Sequence, residues 1–186
     1  MNSTERVVYT QAELDTALAD GVGLIIIDSP PGEVIEVRDS GLSTVYASGS
    51  STVIAYGSSR VRAFDSATVR AYDSSMVITS DSATVYTFGS SRVYASGSST
   101  IIAFGSSTVH AYGSAAVHAY DLATVYAYDS AEVITSDSAT VRSHDSATVR
   151  AYNSSTVIAY GSSRVYAYGS SRVIAYDSAT VIREQS

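Results

Sequence analysis

Between Val37 and Val181 the sequence repeats every eight residues with no insertion, as in Val45-Tyr-Ala-Ser-Gly-Ser-Ser-Thr followed by Val53-Ile-Ala-Tyr-Gly-Ser-Ser-Arg. About eighteen such octads follow one another. A unit this short cannot bury a core of its own, so neighbouring units must stack, each touching only those beside it. Ser, Ala and Gly are abundant enough to suggest disorder, but the unbroken spacing of Val and aromatic residues overrides that suggestion.

Numbered from its Val, the octad carries Val or, once, Ile101 at the first position, mostly Ala at the third, and Ser or Ala at the seventh. Alternate residues of a strand share a face, and these small apolar ones mark the inner face. The second and eighth positions accept Arg62, His110, Tyr86, Met76 and Glu132, the mixture expected of a solvent-facing surface. The fifth is Gly, Asp or Asn153, the residues that tolerate a left-handed backbone, and it is therefore the corner. A strand of about five residues that ends in a one-residue corner, with no room for a hairpin, demands parallel stacking at about 4.8 Å.

These features predict an all-β fold, a right-handed parallel β-solenoid. Three octads (24 residues) per coil are favoured, because that spacing aligns Ile54, Ile78 and Ile102 in one outward column and Ile134, Ile158 and Ile182 in another. It also brings Arg70 beside Tyr46 and Tyr94, and Arg150 beside Tyr126. The alternative is a flat two-sided coil of 16 residues in which Val meets Val across a thin core, similar in period to the repeat of ice-nucleation proteins.

The predicted organisation is an N-terminal cap over 1–36, the octad solenoid over 37–182 and a short tail over 183–186. In the cap, Val7-Val8-Tyr9 reads as a strand, and Thr10 with Glu13 forms a capping box that opens a helix from Gln11 to Ala19. Ala12, Leu14, Ala17 and Leu18 make its apolar stripe, Gly21 stops it, and Leu24 to Ile27 follow as a buried strand. A helix ending in Ala-Asp-Gly before an apolar strand is similar to the N-terminal cap of right-handed parallel β-helix proteins of the pectate-lyase-like group. That resemblance implies that the helix plugs the first coil.

Composition narrows the function. A net charge of −7 and a pI near 4.7, with no lysine and only scattered arginines, argue against nucleic acid. No cysteine is present, which leaves no disulfide or thiolate metal site. The longest apolar run, Val22 to Ile27, is too short for a membrane span, and nothing reads as a signal peptide. The corner aspartates stand alone in their octads and alternate freely with Gly, unlike the acidic calcium loops of β-rolls, so we read them as acceptors of local backbone N–H groups. His110 and His118 are one octad apart, fall on different sides of a coil and share no metal. Neither a catalytic nor a cofactor site is expected, and the chain is read as no enzyme.

Two groups of residues remain as candidates. The fourth position, before the corner, supplies an aromatic column whose members Tyr112, Tyr120, Tyr128, Tyr152, Tyr160, Tyr168 and Tyr176 are a candidate ligand platform for sugar rings. At the far end, Arg183 takes the third position and Glu184 the aromatic one, so Val173, Ala175, Val181, Arg183 and Glu184 are candidates for an end-to-end contact that makes a homodimer. The octads resemble the Asp-Ser-Ala-Thr-Val-type tandem repeats of uncharacterised proteins from actinobacteria and their phages, a resemblance that implies no activity. The expected function is a rigid, non-enzymatic rod presenting a repetitive surface. The alternative is a glycan-binding surface, such as a phage fibre or cell-surface protein carries, and a sugar-active enzyme of the β-helix group is the third.

Overall fold

The computed structural model describes residues 5–184; residues 1–4 of the predicted cap and 185–186 of the predicted tail lie outside the described residues. Strand β1 (Glu5–Val8) leads into helix α1 (Gln11–Ala19), β2 (Leu24–Ile27) and β3 (Val34–Val37). Eighteen further four-residue strands follow, one per octad, from β4 (Thr44–Ala47) through β5 (Thr52–Ala55) to β20 (Arg172–Ala175) and β21 (Thr180–Arg183). They lie in two parallel sheets, one of 11 strands that holds β1, β2 and then alternate strands to β20, and one of 10 that runs from β3 to β21.

Each turn therefore uses two octads, about 16 residues, and the favoured coil of 24 residues is corrected to the two-sided alternative. Val93 pairs with Val77 and Val109, and Ile78 lies between Arg62 and Tyr94, not between Ile54 and Ile102. Core volume accounts for this closure. The inward side chains are Val45, Ala47, Val53, Ala55 and their repeats, all fully buried, with small Ser or Ala at the seventh position. Two facing sheets can interlock such small groups, whereas a triangular coil lined by them would leave its centre empty. The isoleucine columns that favoured three sides were outward-facing and carried little weight against that constraint.

The octad frame also slips once. Val37 pairs with Ala55, a third-position residue, so the step from β3 to β5 is two residues longer than the regular one. The extra residues lie in the turn Asp39 to Ser43, and they place Arg38, not Ser40, beside Tyr56 in the fourth-position column.

At the N-terminal end the helix forms as its capping box dictates: the Thr10 side chain accepts from the Glu13 N–H, and Glu13 Oε2 accepts from the N–H groups of Tyr9 and Thr10. Leu14 and Ala17 are buried against the first strands and Leu18 is partly so, while Ala12, expected in the same stripe, faces water. The Gln11 side-chain amide donates to Glu36 O at 3.0 Å and accepts from Glu36 N–H at 2.7 Å, occupying the outer edge of β3 as a neighbouring peptide would.

The fifth-position corners are left-handed throughout, with φ between 54° and 58° at the aspartates and Asn153. At seven buried seventh positions, among them Ser75, Ser107 and Ser155, the hydroxyl donates back to the fourth-position carbonyl three residues earlier, at 2.7–2.8 Å for these three. At these seven octads the corner is tied on its inner side by a serine.

Candidate functional site

With two octads per turn, the fourth-position residues form two separate ladders at opposite corners. One runs Tyr56, Tyr72, Phe88, Phe104 and Tyr120, skips Ser136, and resumes with Tyr152 and Tyr168. The other runs Tyr112, Tyr128, His144, Tyr160 and Tyr176. Ring centroids within a ladder are 4.5–5.3 Å apart and ring planes differ by 5–17°, the parallel-strand spacing transferred to the side chains. The seven tyrosines expected to make one platform are divided between these ladders: Tyr112, Tyr128, Tyr160 and Tyr176 in one, Tyr120, Tyr152 and Tyr168 in the other. Phe88 and Phe104, overlooked as members, fill the first ladder. At the 16-residue spacing it is unbroken for five turns, a signal in the sequence that also reports the coil size.

Stacking decides what these rings offer. A ring packed between neighbours above and below turns both faces to other rings and only its edge to water. Sugar rings bind aromatic faces, so the interior of a ladder is a stabilising element and its free faces lie at its ends and interruptions. Burial among these rings raises the Tyr128 hydroxyl pKa above 10.0, with Tyr112, Tyr126 and Asp145 adding to the shift.

The second-position columns are also self-occupied. Tyr94, His110 and Tyr126 stack at 4.9 and 4.7 Å, and burial lowers the His110 pKa below 6.5. Arg142 donates to the Tyr126 hydroxyl at 2.9 Å and lies 5.4 Å from its ring centroid, Arg62 lies 5.6 Å from Tyr46, and Arg150 lies 5.8 Å from Tyr166. These pairs replace the Arg70–Tyr46, Arg70–Tyr94 and Arg150–Tyr126 neighbours expected of a triangular coil. His110 and His118 stand on opposite sheets, as both closures require.

Corner aspartates act between turns. Asp65, Asp73, Asp121, Asp129 and Asp177 each accept the corner N–H of the glycine one turn earlier at 2.9–3.2 Å. Where the earlier corner is itself Asp, the bond lengthens: 3.4 Å from Asp121 N to Asp137 and 3.3 Å from Asp129 N to Asp145. The local acceptor role expected of these residues is thus replaced by a link between coils. Among the described residues no three His, Cys, Asp or Glu side chains converge as a metal site.

One ladder ends in a cavity. Tyr56 has no ring above it, and the space beside it, about 500 Å³, is lined by Glu36, Arg38, Tyr56, Gly57 and Asp73. Arg38 is held aside by Glu36 at 3.0 Å, with its side chain 82% exposed. A second cavity of about 690 Å³ shares Glu36 and Arg38 and extends along Gln11, Asp15, Leu18, Val34 and Asp39. Together they make a groove with one aromatic face, one guanidinium and several carboxylates.

At the other end, Val173 and Val181 are half-buried, and Ala175, Arg183 and Glu184 are exposed. Arg183 pairs with Ala167 in the inward column, and the Glu184 N–H donates to Ala167 O at 3.2 Å. The five candidate contact residues therefore share the last turn, on β20, β21 and the residue after it.

Compared with known proteins, the chain matches no family model, no curated protein and no solved structure.

Proposed function

We propose that this chain is a non-enzymatic structural or interaction module, a stiff rod that holds a repeated surface at fixed spacing. The observation that carries this is where its reactive groups are spent. Most corner carboxylates bind backbone N–H groups of the preceding turn, Arg62, Arg142 and Arg150 lie against tyrosines of an adjacent turn, and rings cover one another. Every such contact joins one coil to the next, so the side chains that could do chemistry reinforce the axis instead. In-frame removal of residues 93–124, two interior turns, tests this: small-angle scattering should show a folded particle shorter by about 10 Å, at about 4.8 Å per turn. Collapse of the fold, or loss of a saturable ligand confined to those turns, would overturn it.

The helix fits the role of a cap in this proposal. Leu14 and Ala17 cover the end of the core, and Gln11 occupies the edge of β3, which discourages strand addition at that end. The opposite end supports pairing with a second copy through Val173, Ala175 and Val181, with Arg183 and Glu184 available for reciprocal ion pairs. Light scattering tests the pairing: a dimer whose mass falls on Arg183→Glu is expected, and a concentration-independent monomer would refute it.

A glycan-binding surface is the second reading, favoured by the groove at Tyr56, which offers a free ring face beside Arg38, Glu36 and Asp73. A glycan array with Tyr56→Ala as control tests it; binding that survives this change would place any sugar elsewhere.

A further inference from the structure

The ladder that starts at Tyr56 is interrupted by Ser136 alone. Tyr120 and Tyr152 occupy the fourth position on the turns before and after it, as the bonds from Tyr120 N to Ala103 O, Ser136 N to Ala119 O and Tyr152 N to Thr135 O show. Each ring is still held flat by its outer neighbour, Tyr120 within 13° of Phe104 at 5.1 Å and Tyr152 within 7° of Tyr168 at 4.5 Å. The two inner faces therefore look at each other across two turns, about 9.6 Å at the parallel-strand spacing, with only a serine hydroxymethyl between them. That is the space of one planar ring.

The opposite ladder contains the filled form of the same slot. His144 lies between Tyr128 and Tyr160, with centroids at 5.1 and 4.9 Å and planes within 13° and 9°. The fold thus accepts an imidazole between two tyrosines at this position without disturbing either.

The repeat also breaks its own rules around the Ser136 slot. From Ser50 to Ser178 the sixth position is Ser in every octad except at Leu122, which is 64% exposed and lies on the turn of Tyr120. The only corner asparagine, Asn153, lies on the turn of Tyr152. On the turn between, Asp137 Oδ2 accepts from Ser136 Oγ at 3.3 Å and from the Asp121 N–H at 3.4 Å, which leaves its Oδ1 as the acceptor at the mouth. Arg150, the nearest cation in the adjoining column, is drawn towards Tyr166 on the following turn, away from the slot.

We propose that the Ser136 interruption is a binding slot for a planar heteroaromatic ring bearing an N–H donor, sandwiched between Tyr120 and Tyr152. Asp137 accepts from the donor and Leu122 supplies an apolar lip. A flat imidazole is what the opposite ladder already holds at this pitch, and this preference for a planar ring separates the site from the glycan groove at Tyr56. With two stacking faces and one charge-assisted hydrogen bond, affinity for a single ring falls in the millimolar range.

Proton NMR of imidazole and indole titrated with the full chain tests the slot, because a ring held between two others is shifted upfield by both. Saturable upfield shifts are expected, weakened at least tenfold in Ser136→Phe and in Ser136→His, both of which complete the ladder, and kept in Ser80→Phe, which fills a different position. Circular dichroism confirms that each variant is folded; Ser136→His copies an arrangement the fold already holds. Absence of saturable shifts with the unaltered chain overturns the proposal. Equal shifts in the filled variants, or equal binding of cyclohexanol, overturn it as well.

Discussion

Replacing Gly105 by Val and by Asn separates the two demands made on a corner. Gly105 has φ +67°, and a Cβ added to it would lie 3.1 Å from both the N and the O of Gly89, the corner one turn earlier. A left-handed conformation costs an L-residue about 1–2 kcal/mol, and a β-branched side chain forced against backbone adds roughly 1–3 kcal/mol. Gly105→Val should therefore lose about 2–5 kcal/mol. Asn tolerates the left-handed region, as Asn153 does at φ 55°, and its side-chain oxygen can accept the Gly89 N–H as Asp121 accepts that of Gly105 at 3.0 Å. That bond is worth about 0.5–1.5 kcal/mol and offsets most of the backbone cost, so Gly105→Asn should stay within about 1 kcal/mol of the parent. Asp at 105 would place a second carboxylate one turn from that of Asp121, and like charges at that spacing repel, so it should fall below Asn. Urea unfolding followed by circular dichroism compares the midpoints; since repeat arrays can unfold in parts, the slopes must agree before midpoints become free energies. Equal midpoints for Val and Asn would refute the assignment of steric and hydrogen-bonding roles to this corner.

Double-mutant cycles should couple Ile78 to Tyr94 and Arg62 and leave it uncoupled from Ile54 and Ile102; the reverse pattern would restore the triangular coil. Thr79, at an inward position, is fully buried with no hydrogen-bond partner for its hydroxyl, so Thr79→Val should raise stability by about 1 kcal/mol, measured as a higher urea midpoint, and a lower midpoint would contradict the cost assigned to that hydroxyl. Because burial lowers the His110 pKa, the unfolded chain binds more protons between that lowered value and about 6.5. Its contribution is full above about 6.5 and falls as pH drops through this window, so His110→Phe should flatten the pH dependence of the urea midpoint there; an unchanged slope would count against the cause given.

How much of this was legible in the sequence follows from which contacts lie within an octad and which lie between coils. The capping box at Thr10 and Glu13, the strand at Leu24 to Ile27, the inward Val and Ala and the left-handed corners depend on residues within a few positions of one another, and all were visible. The coil size is a relation between octads, and the outward isoleucines were a poor guide to it, because a solvent-facing column mixes Ile78 with Arg62 and Tyr94 without difficulty. The partly packed fourth position was the better guide. Tyr56 to Tyr120 form an unbroken run only at the two-octad spacing, and packed rings constrain their neighbours in a way that exposed aliphatic groups do not. The seven tyrosines of the candidate platform divide between two ladders for the same reason. They were grouped by their place in the octad, but two octads per turn send alternate members to opposite corners, and stacking then covers the faces a ligand would need. What the ladders leave open is set by their exceptions, Arg38 above Tyr56 and Ser136 between Tyr120 and Tyr152. An exception in a repeat acquires a neighbourhood only once the coil is closed, so Leu122, Ser136 and Asn153, scattered across 32 positions of sequence, become three successive turns of one corner.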